Sequence, residues 1–262
     1  MPPKQSSINY VDLNRPTIFA HRGSSHYAPE NTLAAFELAL EQGANGIELD
    51  AKLSADGQVI IMHDDTVDRT TNGTGRIKAM NLAEIKKLDA GSKFPPKFLP
   101  QKVPTLEEVF ARVGGKLFIN IELTNYTSPA DDLPEKVVSL IKNYHLETKV
   151  LISSFNFFAL SRARWALHSL PVGLLTFSGT ANAIFQARLM RWDALIVLHP
   201  AMADVTSGLV NAVHGKQSRV HAYVVNQPQD MQRLFTCGVD GIFTDDPVLA
   251  LKELDKYQSK KQ

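Results

Sequence analysis

Short apolar runs alternate with stretches whose apolar residues recur at three- and four-residue spacing, from Thr17 almost to the end of the chain. The runs predict strands at Thr17–Ala20, Gly46–Leu53, Val59–Met62, Leu117–Glu122, Val150–Ser153, Val172–Leu175, Ala194–Leu198, Arg219–Val225 and Gly241–Thr244. Between them the spacing predicts helices at Thr32–Glu41, Leu106–Val113, Glu135–Tyr144, Asn156–His168, Ala181–Arg191, Ser207–His214, Gln229–Thr236 and Val248–Tyr257. Helix-start signals support several of these: Asn31 as an N-cap, Thr105 with Glu108 as a capping box, and Pro247 just inside the last helix. Gly43 supplies the stop after the first.

Strand–helix alternation repeated along a chain predicts a parallel sheet covered by helices. Val59–Met62 follows Gly46–Leu53 after only a few residues, including Asp56-Gly57, so it reads as a hairpin extension of that strand. Counting the pair once leaves eight βα units. The expected fold class is therefore α/β, a (β/α)8 TIM barrel, with residues 1–16 as a polar tail and 17–262 as a single barrel domain. The length of 262 residues suits this, because such barrels commonly need about 250. One stretch breaks the rhythm. Residues 64–103 hold a polar Gly-rich run, a short helix near Leu82–Leu88 and a Pro-rich run, too much for an ordinary loop, and predict a small insertion after the second strand.

Composition narrows the classes. Lys and Arg number 28 against 27 Asp and Glu, with no basic run, so the chain lacks the electrostatic footprint of a nucleic-acid binder. The single Cys237 excludes an intrachain disulfide and reads as a small packing residue. The first sixteen residues contain no apolar stretch of the signal-peptide kind, and no window approaches the roughly 20 apolar residues of a membrane span. A cytoplasmic protein without stable membrane insertion is expected.

The polar residues at the carboxyl ends of the strands carry the chemistry. His21 and Arg22 follow the first strand, Glu48 and Asp50 end the second, and His63 and Asp64 close its hairpin extension. Glu122 ends the next strand; Ser154, His199, Asn226 and Asp245 follow later ones. In a parallel barrel all these positions converge on one face, where catalytic groups belong. Glu48 and Asp50 stand two apart on a strand and so point to the same side. Two carboxylates turned into a barrel repel one another and lose hydration, which a divalent cation would relieve, with Glu122 as a third oxygen donor. Hard oxygen donors without cysteine suit Mg²⁺ or Ca²⁺. His21 and His63 are the candidates for proton transfer, and Arg22 can pair with phosphate oxygens, or alternatively with a neighbouring carboxylate. Gly23 would allow close backbone approach.

These residues, in this order, resemble the glycerophosphodiester phosphodiesterase family. The resemblance runs through His21-Arg22-Gly23, Ala28-Pro29-Glu30-Asn31-Thr32, Ile47-Glu48-Leu49-Asp50, Asp56-Gly57, His63-Asp64, Arg69-Thr70-Thr71, Asn120-Ile121-Glu122, Ser153-Ser154-Phe155 and Gly238 to Pro247, spanning roughly residues 17 to 250. It implies a metal-dependent phosphodiesterase that hydrolyses glycerophosphodiesters to sn-glycerol 3-phosphate and an alcohol. Glu48, Asp50 and Glu122 match the family's metal ligands, His21 and His63 its general acid and base, and Arg22 a phosphate-contacting arginine. Thr124 stands where members usually carry a phosphate-holding lysine, and Tyr223 with Asn226 stand where Trp-Thr-Val-Asn is frequent. Together with Ser154 and His199 these complete the expected substrate pocket, whose partner is a small-molecule glycerophosphodiester. Two alternatives are a related barrel lipase acting on lysophospholipids or sphingomyelin, disfavoured by the absence of an amphipathic membrane-binding segment, and a catalytically silent binding protein.

Overall fold

The computed structural model describes residues 13–98, 100–179 and 195–260. Nine strands form one sheet: β1 (Thr17–Ala20), β2 (Gly46–Leu53), β3 (Val59–Ile61), β4 (Phe118–Leu123), β5 (Val150–Ser154), β6 (Val172–Thr176), β7 (Leu195–Pro200), β8 (Arg219–Ala222) and β9 (Gly241–Thr244). Eight of them run parallel in the order β1-β9-β8-β7-β6-β5-β4-β2, and β1 pairs back onto β2 to close the barrel. The ninth, β3, lies antiparallel on β2 with Ala51 opposite Ile61, as the hairpin reading requires. The fold is a (β/α)8 TIM barrel.

Helices α1 (Leu33–Glu41), α3 (Leu106–Val113), α4 (Leu133–Asn143), α5 (Phe157–Ala166), α6 (Ser207–His214), α7 (Pro228–Cys237) and α8 (Pro247–Ser259) connect the staves, and α2 (Leu82–Ile85) is a single turn within the insertion. The expected helix at Ala181–Arg191 lies outside the described residues. Thr105 and Glu108 form the predicted capping box: the Thr105 hydroxyl accepts from the Glu108 amide and Glu108 accepts from the Thr105 amide. The cap of α1 departs from expectation. Thr32, not Asn31, accepts from the Ala35 amide, because Asn31 takes left-handed backbone (φ 56°) and turns its side chain to Asp50. The predicted strand Arg219–Val225 stops at Ala222, beyond which Tyr223 N–H donates to the Pro200 carbonyl and Val225 N–H to Phe243. No helix among the described residues is long and apolar enough to cross a membrane.

Strand alternation sorts the core into two parts. Ile18, Ile47, Leu49, Ile119, Ile121 and Ile152 face outward into the layer beneath the helices. Phe19, Phe118, Leu151, Val197 and Phe243 pack with Leu13 inside the barrel. Phe19 lies against Phe243 and His221, each with ring centroids 5.3 Å away. This apolar plug fills the barrel below the strands' carboxyl ends and leaves the polar residues gathered above it. The segment after β3 has a small core of its own, built from Ile60, Met62, Val67, Ile77, Ile85, Ala90 and Val103.

Because Phe19 is fully buried in the plug, Phe19→Ala should destabilise the protein by about 3–5 kcal/mol. Denaturant unfolding reads this directly; a loss below about 1 kcal/mol would mean that the barrel interior collapses around the gap.

Candidate active site

Adjacent staves hold the acidic residues in register. Asp50 on β2 pairs with Glu122 on β4, and Glu48 lies one inward position below Asp50. One carboxylate oxygen from each of Glu48, Asp50 and Glu122 lies within 4.8 Å of the others. Glu48 and Asp50 are buried, at 3% and 1% exposure, so they are not solvated surface acids. Each has a hydrogen-bond donor that fixes its orientation. The Arg22 backbone amide donates to Glu48 Oε2 at 2.9 Å, Asn31 Nδ2 to Asp50 Oδ2 at 2.8 Å, and the Tyr126 hydroxyl to Glu122 Oε1 at 2.6 Å. Glu48 Oε1 is buried without a partner. Desolvation, reinforced by the charges of Asp50 and Glu122, raises the Glu48 carboxyl well above its ordinary range; desolvation and Asp50 lift Glu122 to about 8. An orphaned oxygen among three crowded carboxyls fits a divalent cation, whose charge would favour the ionised forms of Glu48 and Glu122.

His21 borders this triad, and each of the two candidate imidazoles, His21 and His63, has a carboxylate behind it. His21 Nδ1 lies 2.7 Å from Asp245 Oδ1, and its Nε2 lies 3.9 Å from Glu48 Oε2. His63 Nδ1 lies 2.7 Å from Asp64 Oδ1. An acceptor at Nδ1 selects the tautomer with its proton on that nitrogen and leaves Nε2 for chemistry. Asp245 is itself fixed. Burial opposes its charge, but hydrogen bonds from His21, Asn226 and Ser25 hold its carboxyl at about 2. Asp64 is likewise held at about 2, chiefly by Arg69, with His63 contributing. Arg69 bridges Asp64 to Glu30 through 2.7 Å contacts, and Glu30 accepts from Arg22 Nη1 at 2.9 Å. An ionic chain therefore runs from His63 through Asp64, Arg69, Glu30 and Arg22 to Asp50.

The turn after β1 is built for these contacts. Arg22 adopts left-handed backbone (φ 56°), which aims its amide at Glu48, and Gly23 follows at φ 81°. A Cβ on Gly23 would lie 2.7 Å from the Ala35 backbone, so the close approach expected from the sequence is real.

The glycerophosphoryl diester phosphodiesterase family model matches residues 21–249. The chain belongs to that family. It is an enzyme of the glycerophosphodiester phosphodiesterase type. A glycerophosphodiester phosphodiesterase of Caldanaerobacter subterraneus is 43% identical over 231 residues, covering 88% of this chain and 94% of the relative. One from Bacillus subtilis is 36% identical, covering 96% of this chain and 91% of its own length. Among solved structures, an Oleispira antarctica phosphodiesterase in complex with the product sn-glycerol-3-phosphate superposes with a TM-score of 0.81 at 32% identity, covering 92% of this chain and 97% of that one.

Set beside the expectations for this family member, the outer pocket residues fall into two groups. Tyr223 is half-buried near the mouth, its hydroxyl donating to the Thr176 carbonyl at 2.8 Å. Asn226 is close to the site but serves Asp245: its Nδ2 donates to Asp245 Oδ2 at 2.6 Å and its Oδ1 accepts from the Asp245 amide. Arg22 is engaged by Glu30 and Asp50, the carboxylate pairing that the sequence left as its alternative. Three others are buried. Thr124 is buried and donates its hydroxyl to the Ala51 carbonyl at 2.9 Å. Ser154 is fully buried between the Leu123 carbonyl and the Asn156 amide. His199 is fully buried inside the barrel, where its ring stacks on His221 at 5.5 Å and occupies the space a Gly173 side chain would take. Desolvation lowers its pKa to about 3.

Sequence reasoning gave no role to Tyr126, matched Glu30 and Arg69 to the family pattern without assigning them a contact, read Asn31 as a helix cap, and placed Asp64 and Asp245 on the catalytic face without a partner. The signal for Asp64 was its adjacency to His63, and for Asp245 its place at the end of the last stave. Nothing in the spacing linked Arg69 to Glu30, 39 residues apart.

The raised Glu48 and Glu122 carboxyls give a signed prediction. A raised carboxyl is protonated below its pKa, so at pH 7 a cation entering the triad must displace protons, and its apparent affinity should weaken as pH falls below about 8. Calorimetric titration with Mg²⁺ or Ca²⁺ in buffers of different ionisation enthalpy should show proton release. Binding with no proton exchange at pH 7 would overturn this view of the triad.

Proposed function

We propose that this family member hydrolyses glycerophosphodiesters to sn-glycerol 3-phosphate and an alcohol, using a divalent cation and the imidazoles of His21 and His63 as the general acid–base pair. The supporting observation is the pairing of each imidazole Nδ1 with its own carboxylate, at 2.7 Å in both cases, with His21 Nε2 3.9 Å from Glu48 of a buried acidic triad. The product complex of the Oleispira relative supports the choice of substrate. Mg²⁺ and Ca²⁺ are the proposed cations, and the cytoplasm the proposed compartment.

Glu48, Asp50 and Glu122 would hold the cation, which when bound supplies Lewis-acid charge to phosphate and hydroxyl oxygens. The chain's own residues do the rest. Arg22, tethered to Glu30 and Asp50, adds positive charge on the phosphate side. One imidazole accepts the proton of the attacking hydroxyl at Nε2, while the other, protonated at Nε2, delivers a proton to the leaving oxygen. Asp245 and Asp64 hold the rings in place and stabilise each imidazolium as it forms. The nucleophile is water, or the glycerol 2-hydroxyl by way of a cyclic phosphate; oxygen-18 labelling with detection of the cyclic ester distinguishes them.

His21→Ala and His63→Ala should each lower release of glycerol 3-phosphate by about 10²–10⁴-fold. A chelator should abolish the activity, and added Mg²⁺ or Ca²⁺ should restore it. Turnover that survives both histidine substitutions would remove the acid–base assignment. Asp245→Asn keeps the shape of the contact but not its charge, and should reduce kcat about a hundredfold or more with a smaller change in KM. An unchanged kcat would show that His21 does not depend on that carboxylate.

A further inference from the structure

Strand β2 carries a third ionisable side chain on the side that bears two of the candidate cation ligands. Lys52 stands two residues past Asp50 and four past Glu48, so all three project to the same side of the strand. A lysine near a strand end can run its long arm out to solvent, yet Lys52 is buried, at 8% exposure. Its ammonium lies 3.1 Å from Asp65 Oδ1 and donates to the Thr124 carbonyl, also at 3.1 Å. A buried cation loses hydration that only close, well-directed partners restore. The acid–base scheme gives this one no task.

Its two partners belong to the segments that carry Glu122 and His63. Thr124 lies two residues past Glu122 and is itself tied to the Ala51 carbonyl, through its amide at 3.2 Å and its hydroxyl at 2.9 Å. Lys52 is close enough to Glu122 for its charge to oppose the burial and the Asp50 charge that lift that carboxyl. Asp65 lies two residues past His63 and directly follows Asp64, the carboxylate behind the His63 ring. The strand leading to His63 ends early: β3 stops at Ile61, and Met62 N–H donates to the Asp50 carbonyl at 2.9 Å. Beyond that point ion pairs return the segment to the barrel. Arg69 ties it to Glu30 on the first loop, through a guanidinium that is half exposed. Lys52 ties it to the end of β4, from inside. The Asp65 carboxylate also accepts from the Thr127 hydroxyl, in the same loop as Tyr126, which donates to Glu122.

We propose that Lys52 is a positioning residue, whose ammonium sets the place of His63 relative to Glu122 by holding Asp65 against the end of β4. The inference rests on the phosphodiesterase reading, with His63 as one of its proton-transfer groups. Lys52 touches no reacting atom in this role. The stave that presents Glu48 and Asp50 also presents the clamp, so the cation ligands and the imidazole are referred to one rigid element. A displacement of about 1 Å in such a group can lose about a hundredfold in rate. The buried ammonium is also screened by salt far less than the exposed pair at Arg69.

The test replaces Lys52 with an uncharged side chain of similar length. Lys52→Met should lower kcat for glycerol 3-phosphate release about tenfold or more and leave KM within about twofold, because the lost contact does not touch substrate. Asp65→Ala, at a half-exposed position, removes the other half of the tie and keeps the test open should the buried substitution impair folding. It should cause a similar loss, and the double variant little more than either alone. Two readouts separate positioning from general damage. In calorimetric titration, Lys52→Met should bind Mg²⁺ or Ca²⁺ no more weakly than the parent, since a neighbouring positive charge is gone. With nitrogen-15-labelled histidine, the His63 ring signals should shift or broaden in both variants while those of His21 stay in place. An unchanged kcat, an unmoved His63 signal, or His21 and His63 signals that move together would overturn the assignment. If the parent releases no glycerol 3-phosphate, the phosphodiesterase reading fails instead, and the histidine signals still decide whether Lys52 places His63.

Discussion

Three carboxyl groups forced together at the top of a closed barrel set the terms for everything around them. Asp50 and Glu122 face each other because β2 and β4 pair in register, and Glu48 shares their side because strand residues two apart must. Closure leaves no freedom to splay these staves apart. The repulsion and lost hydration therefore have to be met locally, by protons, by a cation or by donors. The donors come from an unusually shaped turn. Arg22 is driven into left-handed backbone so that its amide reaches Glu48, and Asn31 gives up the helix cap to hold Asp50. Backbone conformations of this kind cost about 1–3 kcal/mol each. The apolar plug of Phe19, Phe118 and Phe243 below gives the rigid floor against which that strain can be held.

The imidazoles follow the same logic one layer outward. Each is turned by an aspartate, and each aspartate is restrained by further donors, so the rings are set by chains of contact and not by rotamer preference alone. The two chains are not equivalent. Asp245 stands just past the end of β9 and is fixed by Asn226, from the end of the neighbouring stave. Asp64 is fixed by Arg69 from the insertion, at a more open position where His63 is 43% exposed.

The barrel was legible in the sequence because strand burial on both faces writes continuous apolar runs, and helical faces write a different period. Thr17–Ala20, Gly46–Leu53 and Gly241–Thr244 were bounded correctly since turn residues flank them closely. Boundaries drifted where tertiary pairing decides the end, as at Ala222. The gathering of Glu48, Asp50 and Glu122 was legible because strand ends converge whatever the loops do. The hydrogen-bond partners of the outer residues were not. Thr124, Ser154 and His199 occupy strand-end positions, yet Thr124 and Ser154 spend their hydroxyls on neighbouring carbonyls and His199 tips into a hollow left by Gly173. Position along a stave says which face a side chain takes, but not whether backbone groups nearby will claim it. The ion pair between Arg69 and Glu30 was invisible for the converse reason, since only folding brings the insertion back over the first loop.

That pair has a mechanical meaning. Arg69 belongs to the excursion after β3 and Glu30 to the loop ahead of α1, so two forked salt contacts latch the excursion to the rim that carries Arg22. The placing of the His63 imidazole relative to that of His21 is thus governed by a clasp built from surface charge, while the carboxyl cluster is governed by the sheet. High ionic strength loosens the former and leaves the latter intact, so salt acts on the alignment of His63 more than on that of His21.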